Sequence, residues 1–179
     1  MGVAFAGIVA VTGLSWTTLL LLVLAVFSII LSAIDFDVQR LPNVLVLTFA
    51  VAAGVVIVAA TITEDDWVQL VRALVGAGSL GLFYVIAFVI YPRGLGFGDV
   101  KLSPVLGGVL AYFGWHQLVV GAFAGFLWGA LVGIGAMVVT RKVRRVRIPF
   151  GPWMFLGTWT GIIVGAMVGD WYLHHVLSF

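Results

Sequence analysis

Two aspartates stand at the ends of apolar segments, where a membrane protein tolerates charge poorly. Asp35 ends the long apolar run Leu14–Ile34, and Asp99 ends the segment Gly94–Asp99, just before the next apolar run begins. Ionisable groups at or within a membrane are costly, so they are functional candidates that need a partner. We therefore expect Asp35 and Asp99 to be partners of each other.

A pair of carboxylates has a recognisable chemistry. When two carboxylates lie close together they do not both ionise easily, so one keeps a proton near neutral pH and the apparent pKa values belong to the pair. The ionised member takes a proton from water, and the protonated member polarises a peptide carbonyl. This is aspartic-protease chemistry, and it needs no metal, thiol or cofactor.

Other catalytic classes find little support in the composition. The chain has no cysteine, which excludes disulfides, Cys-ligated zinc and thiol catalysis. The three histidines, His116, His174 and His175, are too few and too scattered to predict a metal site. The short basic segment Arg141–Arg147 has no interleaved aromatic residues, so we expect no nucleic-acid partner.

The composition predicts an all-α, polytopic membrane helix bundle. The 179 residues are 63% hydrophobic and 9% charged, with a mean hydropathy of +1.24, whereas soluble domains have about 25% charged residues. We treat residues 1–179 as a single domain. The N-terminal segment Met1–Gly13 has no Lys or Arg, so we interpret it as a lead-in to the first helix rather than as a secretory signal.

About six spanning helices are predicted, because a span needs about 20 apolar residues. They are Gly13–Ile34, Pro42–Thr63, Trp67–Tyr91, Leu102–Gly114, His116–Val139 and Phe150–Asp170. The fourth is short and contains Pro104, so we expect protein to surround it. Asp65 or Asp66 is expected to cap the third helix. Small residues recur every four positions in the last two spans, as Gly125, Gly129, Gly133 and Gly157, Gly161, Gly165, which favours close helix packing within the chain.

The distribution of basic residues predicts the orientation. Eight of the nine bases fall on one side of the alternating spans, with Arg72 the exception: Arg40, Arg93, Lys101, Arg141, Lys142, Arg144, Arg145 and Arg147. That side is expected to be cytoplasmic, with Asp35 and Asp99 on it, both termini outside, and the basic segment against anionic lipid headgroups. A five-span arrangement, with Leu102–Gly114 re-entrant, would break the alternation.

The spacing around the first aspartate separates Asp35 from Asp37. Two residues correspond to about 200° of helix rotation, so at most one of the two faces the bundle. We interpret Asp37 as a solvated charge. Pro42 is expected to begin the next helix, where its missing N–H costs nothing.

The second aspartate follows a glycine-rich loop. Gly94, Gly96 and Gly98 allow backbone conformations and close approaches that other residues do not, so an extended peptide can reach Asp99. The spacing fits neither a P-loop nor a dinucleotide fingerprint.

Taken together, these motifs resemble the type IV prepilin peptidases, GxGD-type aspartyl proteases related to archaeal preflagellin peptidases. The resemblance extends from about Leu20 to Gly157. It rests on Asp35 before Pro42, on the string Gly96-Phe97-Gly98-Asp99-Val100-Lys101-Leu102, and on Pro149-Phe150-Gly151-Pro152.

The resemblance implies catalysis by Asp35 and Asp99. It implies removal of a short basic leader from pilin or pseudopilin precursors, typically after a glycine, at the cytoplasmic membrane face. Pro42, Gly96, Gly98, Lys101 and the segment Pro149–Pro152 are implied as substrate-loop or structural positions. That last segment could hold the substrate or merely start the last helix, and the second role is the minimum expectation.

One departure concerns methylation. Many bacterial members carry an N-terminal cytoplasmic domain with paired Cys motifs, associated with zinc and with N-methylation of the mature pilin. This sequence has no cysteine, so we expect peptidase activity without methyltransferase activity.

Two other classes of function remain open at this stage. A small transporter or channel could use Asp35 and Asp99 as proton or cation sites, although transport sites lie near the bilayer midplane and both aspartates are predicted at one edge. A non-catalytic assembly subunit would keep leader cleavage unchanged when either aspartate is replaced.

Overall fold

The predicted all-α fold is confirmed. In a computed structural model of the protein, the described residues are 15–92, 95–140 and 149–176, and they form six α-helices and no strand. The predicted lead-in Met1–Gly13, Arg93 and the basic segment Arg141–Arg147 lie outside the described residues. The helices, numbered α1 to α6, span Trp16–Val38, Asn43–Glu64, Trp67–Ile90, Phe97–Phe113, Trp115–Thr140 and Gly151–Val176.

Five of these helices are long and apolar enough to cross a membrane. They are α1, α2 and α3, together with Trp115–Gly135 of α5 and Gly151–Trp171 of α6, with mean hydropathies from 1.3 to 2.7. Helix α4 has 17 residues, which is at the lower end of the usual range of about 17–25. The described bundle therefore consists of five candidate spans and one shorter helix.

The short helix α4 lies at the centre of the bundle. Most of its residues are buried, including the unbroken stretch Leu106–Tyr112, and it packs against α2, α3, α5 and α6. A short helix is tolerated at membrane depth where protein surrounds it. The expectation that the fourth segment is enclosed by protein is confirmed.

The predicted start of the fourth segment was wrong by five residues. Helix α4 begins at Phe97 rather than at Leu102. Asp99 is its third residue, and the Asp99 carboxylate accepts a hydrogen bond from the Gly96 N–H at 3.1 Å. This contact satisfies one of the backbone donors at the helix start. Because the helix begins at Phe97, Asp99 lies inside the first turn of α4 instead of before it.

Helix α4 continues through Pro104, which has no N–H to donate to the Val100 carbonyl. The Ser103 hydroxyl donates to that carbonyl instead, at 3.0 Å. The proline ring packs against α3 at Gly81, where a Cβ atom would come within 3.0 Å of Pro104 Cγ.

The turn between α1 and α2 also differs slightly from the prediction. Helix α1 extends past Ile34 to Val38, and Gln39 ends it in a left-handed conformation, with its N–H donating to the Asp35 carbonyl at 3.0 Å. Pro42 precedes α2 as its N-cap in an extended conformation, so the helix begins one residue later than expected. Both Asp35 and Asp37 consequently lie on the last turns of α1.

Two caps fix the ends of α3 and α4. Asp66 accepts a hydrogen bond from the Gln69 N–H at 3.2 Å, which confirms the predicted cap of α3. Arg72, the exception to the distribution of bases, donates from its guanidinium to the carbonyls of Ala111 and Tyr112. These carbonyls are at the end of α4 and have no partner within the helix.

Helices α5 and α6 pack closely through glycines, among them the predicted Gly125, Gly157 and Gly161. A Cβ atom at Gly157 would overlap the backbone of Gly125, and one at Gly161 would lie within 2.5 Å of the Gly121 Cα. The small residues therefore serve packing within the chain, as predicted.

Candidate active site

Asp35 is a buried carboxylate at the end of α1. Only 4% of its surface is exposed, whereas Asp37 is exposed. This difference follows from the helix rotation between the two positions, and it confirms that only one of the two aspartates faces the bundle. The solvation of Asp37 stays a prediction.

Asp99, in the first turn of α4, faces the same cavity as Asp35. It is 6% exposed, and both aspartates line a cavity of about 510 Å³. The rest of the lining comes from the α1–α2 turn, residues 39–43, and from the start of α4, residues 96–98 and 101. The structure thus brings together Asp35, Pro42, Gly96, Gly98, Asp99 and Lys101, which were all predicted as site residues.

Each carboxylate accepts a hydrogen bond from the backbone of a glycine. The Gly96 N–H donates to Asp99 Oδ2 at 3.1 Å, and the Gly151 N–H, at the start of α6, donates to Asp35 Oδ2 at 3.0 Å. A Cβ atom at Gly96 would lie 2.9 Å from Asp99 Oδ2, and one at Gly151 would lie 2.8 Å from Asp35 Oδ2. Each carboxylate therefore occupies the space that a side chain would fill.

The segment Pro149–Pro152 starts the last helix, which was the minimum expectation for it. Helix α6 begins at Gly151, and the Phe150 carbonyl accepts the N–H groups of Trp153 and Met154, both at 3.1 Å. None of the four residues Pro149–Pro152 is part of the cavity lining.

Sequence reasoning missed the contact of Gly151 with Asp35. The two residues are 116 positions apart, and no local pattern connects them. The available signal was that both were predicted on the same side of the membrane, which does not specify a hydrogen bond.

Lys101 and Gly98 hold the starts of α2 and α4 together. The Lys101 ammonium donates to the Asn43 side-chain oxygen at 2.8 Å and lies 4.5 Å from the centre of the Phe97 ring, a cation–π distance. A Cβ atom at Gly98 would come within 3.0 Å of Leu41 Cβ. These contacts shape the rim of the cavity.

The electrostatic environment favours a proton on Asp99, which lies outside the five candidate spans. Burial and, to a lesser degree, the negative charge of Asp35 raise the pKa of Asp99 to about 7, while the hydrogen bond from Gly96 opposes the shift. A carboxyl group with this pKa is protonated for much of the time at neutral pH. Within the described ranges, no group of three or more His, Cys, Asp or Glu side chains is arranged to hold a metal ion.

Comparison with known proteins places the chain in a family. The sequence pattern of the type IV leader peptidase family matches residues 22–134, which is more than half of the chain. The chain is also similar to several proteins named prepilin leader peptidase/N-methyltransferase. The identity is 30% over 174 residues with that of Aeromonas salmonicida and 31% over 165 residues with that of Pseudomonas aeruginosa.

These alignments cover 90% of this chain but only 55% and 54% of the two relatives. The chain therefore spans about half the length of the relatives that it matches. The protein of the same name from Escherichia coli is 34% identical over 136 residues, which is 74% of this chain and 57% of that relative. No solved structure matches the chain at the significance that these relatives reach. The extent of the family match, together with the five apolar helices, shows that the chain is an integral membrane protein that belongs to the type IV leader peptidase family.

Proposed function

We propose that this protein is an aspartyl endopeptidase that removes the basic leader from type IV prepilin-like precursors, both pilins and pseudopilins. The observation that carries the proposal is the placement of two buried carboxylates, Asp35 and Asp99, on one cavity of a chain from this family. The relatives' names support the substrate class, since each includes a prepilin leader peptidase.

In the proposed mechanism the two carboxyl groups act on one water molecule and one peptide bond. Protonated Asp99 donates a hydrogen bond to the carbonyl oxygen of the scissile peptide, and ionised Asp35 takes a proton from the water. As the water oxygen bonds to the carbonyl carbon, Asp99 passes its proton to the carbonyl oxygen. The C–N bond then breaks as the proton held by Asp35 passes to the leaving amine, and Asp99 regains a proton from a hydroxyl of the intermediate. The environment of Asp99, which raises its pKa to about 7, supports this division of roles.

The cavity accommodates an extended peptide in this proposal. It lies where α1 ends and where α2 and α4 begin, so a peptide can enter from the aqueous side. We place this end of the bundle at the cytoplasmic face, with both chain termini outside, because eight of the nine bases in the sequence belong to that side. The segment Arg141–Arg147 would contact anionic lipids there.

We propose no cofactor and no methyltransferase activity for this chain. A chelator should leave the cleavage rate unchanged, and inhibition by EDTA that zinc reverses would contradict the metal-free mechanism. The mass of the mature amino terminus, with or without an added methyl group, tests the absence of methylation.

The position of the two carboxylates favours a peptidase over a transporter or channel. Asp35 lies near the end of one helix and Asp99 in the first turn of another. Transport sites are typically built near the bilayer midplane, from the middle of discontinuous helices.

Leader cleavage of a prepilin reporter tests the proposal. The reporter is co-expressed with the wild type, with Asp35→Asn or with Asp99→Asn, and Asp37→Asn serves as the matched control because Asp37 is a nearby exposed carboxylate. We expect both site variants to lose cleavage at normal membrane levels and the control to keep it. Cleavage retained in both site variants would refute the catalytic pair and favour a transporter or assembly subunit.

A further inference from the structure

The Asp35 carboxylate depends on a helix that is remote in sequence. Asp35 lies near the C-terminal end of α1, where the helix dipole disfavours negative charge. Its Oδ2 accepts the N–H of Gly151, the first residue of α6, in a buried contact of 3.0 Å. The first N–H groups of a helix have no partner within it and favour an anion. The start of α6 thus offsets the unfavourable end of α1.

The space at Gly151 is as specific as the hydrogen bond. A Cβ atom there would lie 2.8 Å from Asp35 Oδ2, 3.4 Å from its Cγ and 3.7 Å from its Cβ. The whole side chain of Asp35 therefore packs where a residue other than glycine would project. Because an aspartate can rotate about its side-chain bonds, a larger residue at this position would move the carboxylate more readily than it would move the backbone.

We propose that Gly151 is a positioning residue for Asp35: its N–H holds one carboxylate oxygen, and its lack of a side chain leaves the carboxylate room to face the cavity. The inference rests on the proposed function, because the placement of Asp35 matters to the rate only if Asp35 acts on water. It adds α6 to the elements of the site, beside α1, α4 and the α1–α2 turn. The segment Pro149–Pro152 then acts on the reaction through Asp35.

The corresponding contact at Asp99 supports this role. Asp99 also accepts a glycine N–H, from Gly96 at 3.1 Å, and also fills the space of the missing glycine side chain. Gly96 is only three residues from Asp99, so one capping turn is enough to place that carboxylate. Asp35 has to obtain the same arrangement from a different helix.

The test compares four single variants in cleavage of a prepilin reporter by the purified full-length protein in lipid vesicles. Gly151→Ala adds a Cβ atom that crowds Asp35. Gly151→Pro adds the same atom and also removes the N–H, and proline is tolerated at the first position of a helix. Gly54→Ala and Gly78→Ala are the controls, because a Cβ at either position meets nothing within 4 Å.

We expect Gly151→Ala to lower kcat about 10- to 100-fold with KM within about twofold, since a displacement of about 1 Å can cost about 100-fold in rate. The controls should keep wild-type kinetics. Gly151→Pro should lose more activity than Gly151→Ala, because the ionised carboxylate has also lost a donor. Wild-type kcat in Gly151→Ala would overturn the proposal, as would Gly151→Pro behaving the same as Gly151→Ala.

A double-variant cycle keeps the test decisive if Gly151→Ala accumulates poorly. The effect of Gly151→Ala on the thermal unfolding temperature is measured with Asp35 present and in an Asp35→Ala background. The loss should shrink when Asp35 is replaced, and an equal loss in both backgrounds would overturn the proposal. A wild type that cleaves no reporter contradicts the proposed function itself, whereas a cleaving wild type matched by Gly151→Ala contradicts only the role of Gly151.

Discussion

At the scale of single residues, burial distinguishes Asp99 from an ordinary aspartate. Asp99 is 6% exposed, and it faces a cavity that a second carboxylate also lines. Burial and the charge of Asp35 together raise its pKa to about 7. An ordinary surface aspartate, with a pKa of about 3.9, is almost fully ionised at a pH of about 7.

This difference predicts the pH dependence of cleavage. Because Asp99 is to donate a hydrogen bond from its protonated form, activity should decline as the pH rises through about 7 and that proton is lost. The measurement is kcat/KM of the purified protein from about pH 5 to about pH 9 at constant ionic strength, where a pH–rate profile reports the groups of the free enzyme. Activity that keeps rising up to about pH 9 would contradict a protonated Asp99.

The two aspartates could be predicted from sequence, but the long-range hydrogen bond that positions Asp35 could not. Carboxylates beside apolar runs are unusual enough to be noticed singly, and the distribution of bases assigns Asp35 and Asp99 to one side. The hydrogen bond from Gly151 joins residues 116 positions apart. Such a contact depends on how α1 and α6 pack, which hydropathy does not encode.

At the scale of helices, close approach through glycine is what holds α5 against α6. The lipid-facing and protein-facing environments are both apolar, so helix association in a membrane depends on packing and polar contacts rather than on the hydrophobic effect. The backbones of the two helices meet at Gly125 and Gly157.

Gly157→Ala should therefore destabilise the bundle, because its Cβ overlaps the backbone of Gly125. Overpacking of this kind typically costs about 1–3 kcal/mol. Gly135→Ala is the matched control in α5, where a Cβ meets nothing within 4 Å. The check is thermal unfolding in detergent, and equal unfolding temperatures for the two variants would show that the glycine contact does not limit stability.

Helix ends were predictable where a local cap determines them. Helix α3 begins at Trp67 as predicted, because Asp66 caps it. The start of α4 was placed too late because its cap consists of a glycine N–H and the side chain of Asp99, within a segment whose glycines indicate a loop. Arg72 is the exception to the distribution of bases, and its position has a structural reason: its guanidinium donates hydrogen bonds to the carbonyls at the end of α4.

At the scale of the whole molecule, the bundle surrounds the helix that carries Asp99. The short length of the fourth segment and its internal Pro104 indicated a helix enclosed by protein, so the central position of α4 had a sequence signal. The sequence contained no signal for which helices surround α4, because those contacts depend on the shapes of the facing surfaces. The orientation across the membrane stays a prediction from the distribution of bases.

The lack of native cysteine makes that orientation straightforward to test. Single cysteines are introduced at Asp37 and at Glu64, two exposed positions at opposite ends of the α1–α2 hairpin. A membrane-impermeant maleimide should label Glu64→Cys in intact cells and label Asp37→Cys only after permeabilisation. The cysteine-free parent is the control for background, and the reverse labelling pattern would place the cavity on the outer face.

The central claim is that Asp35 and Asp99 act as one catalytic unit, and the most direct measurement is kcat/KM for Asp35→Asn, Asp99→Asn and the double variant in lipid vesicles. Each single variant should lose about 1,000-fold or more, and the double variant should be little worse than either, because groups that act as a unit are strongly non-additive. A single variant that stays within about tenfold of the wild type, at equal amounts of folded protein, would contradict the claim.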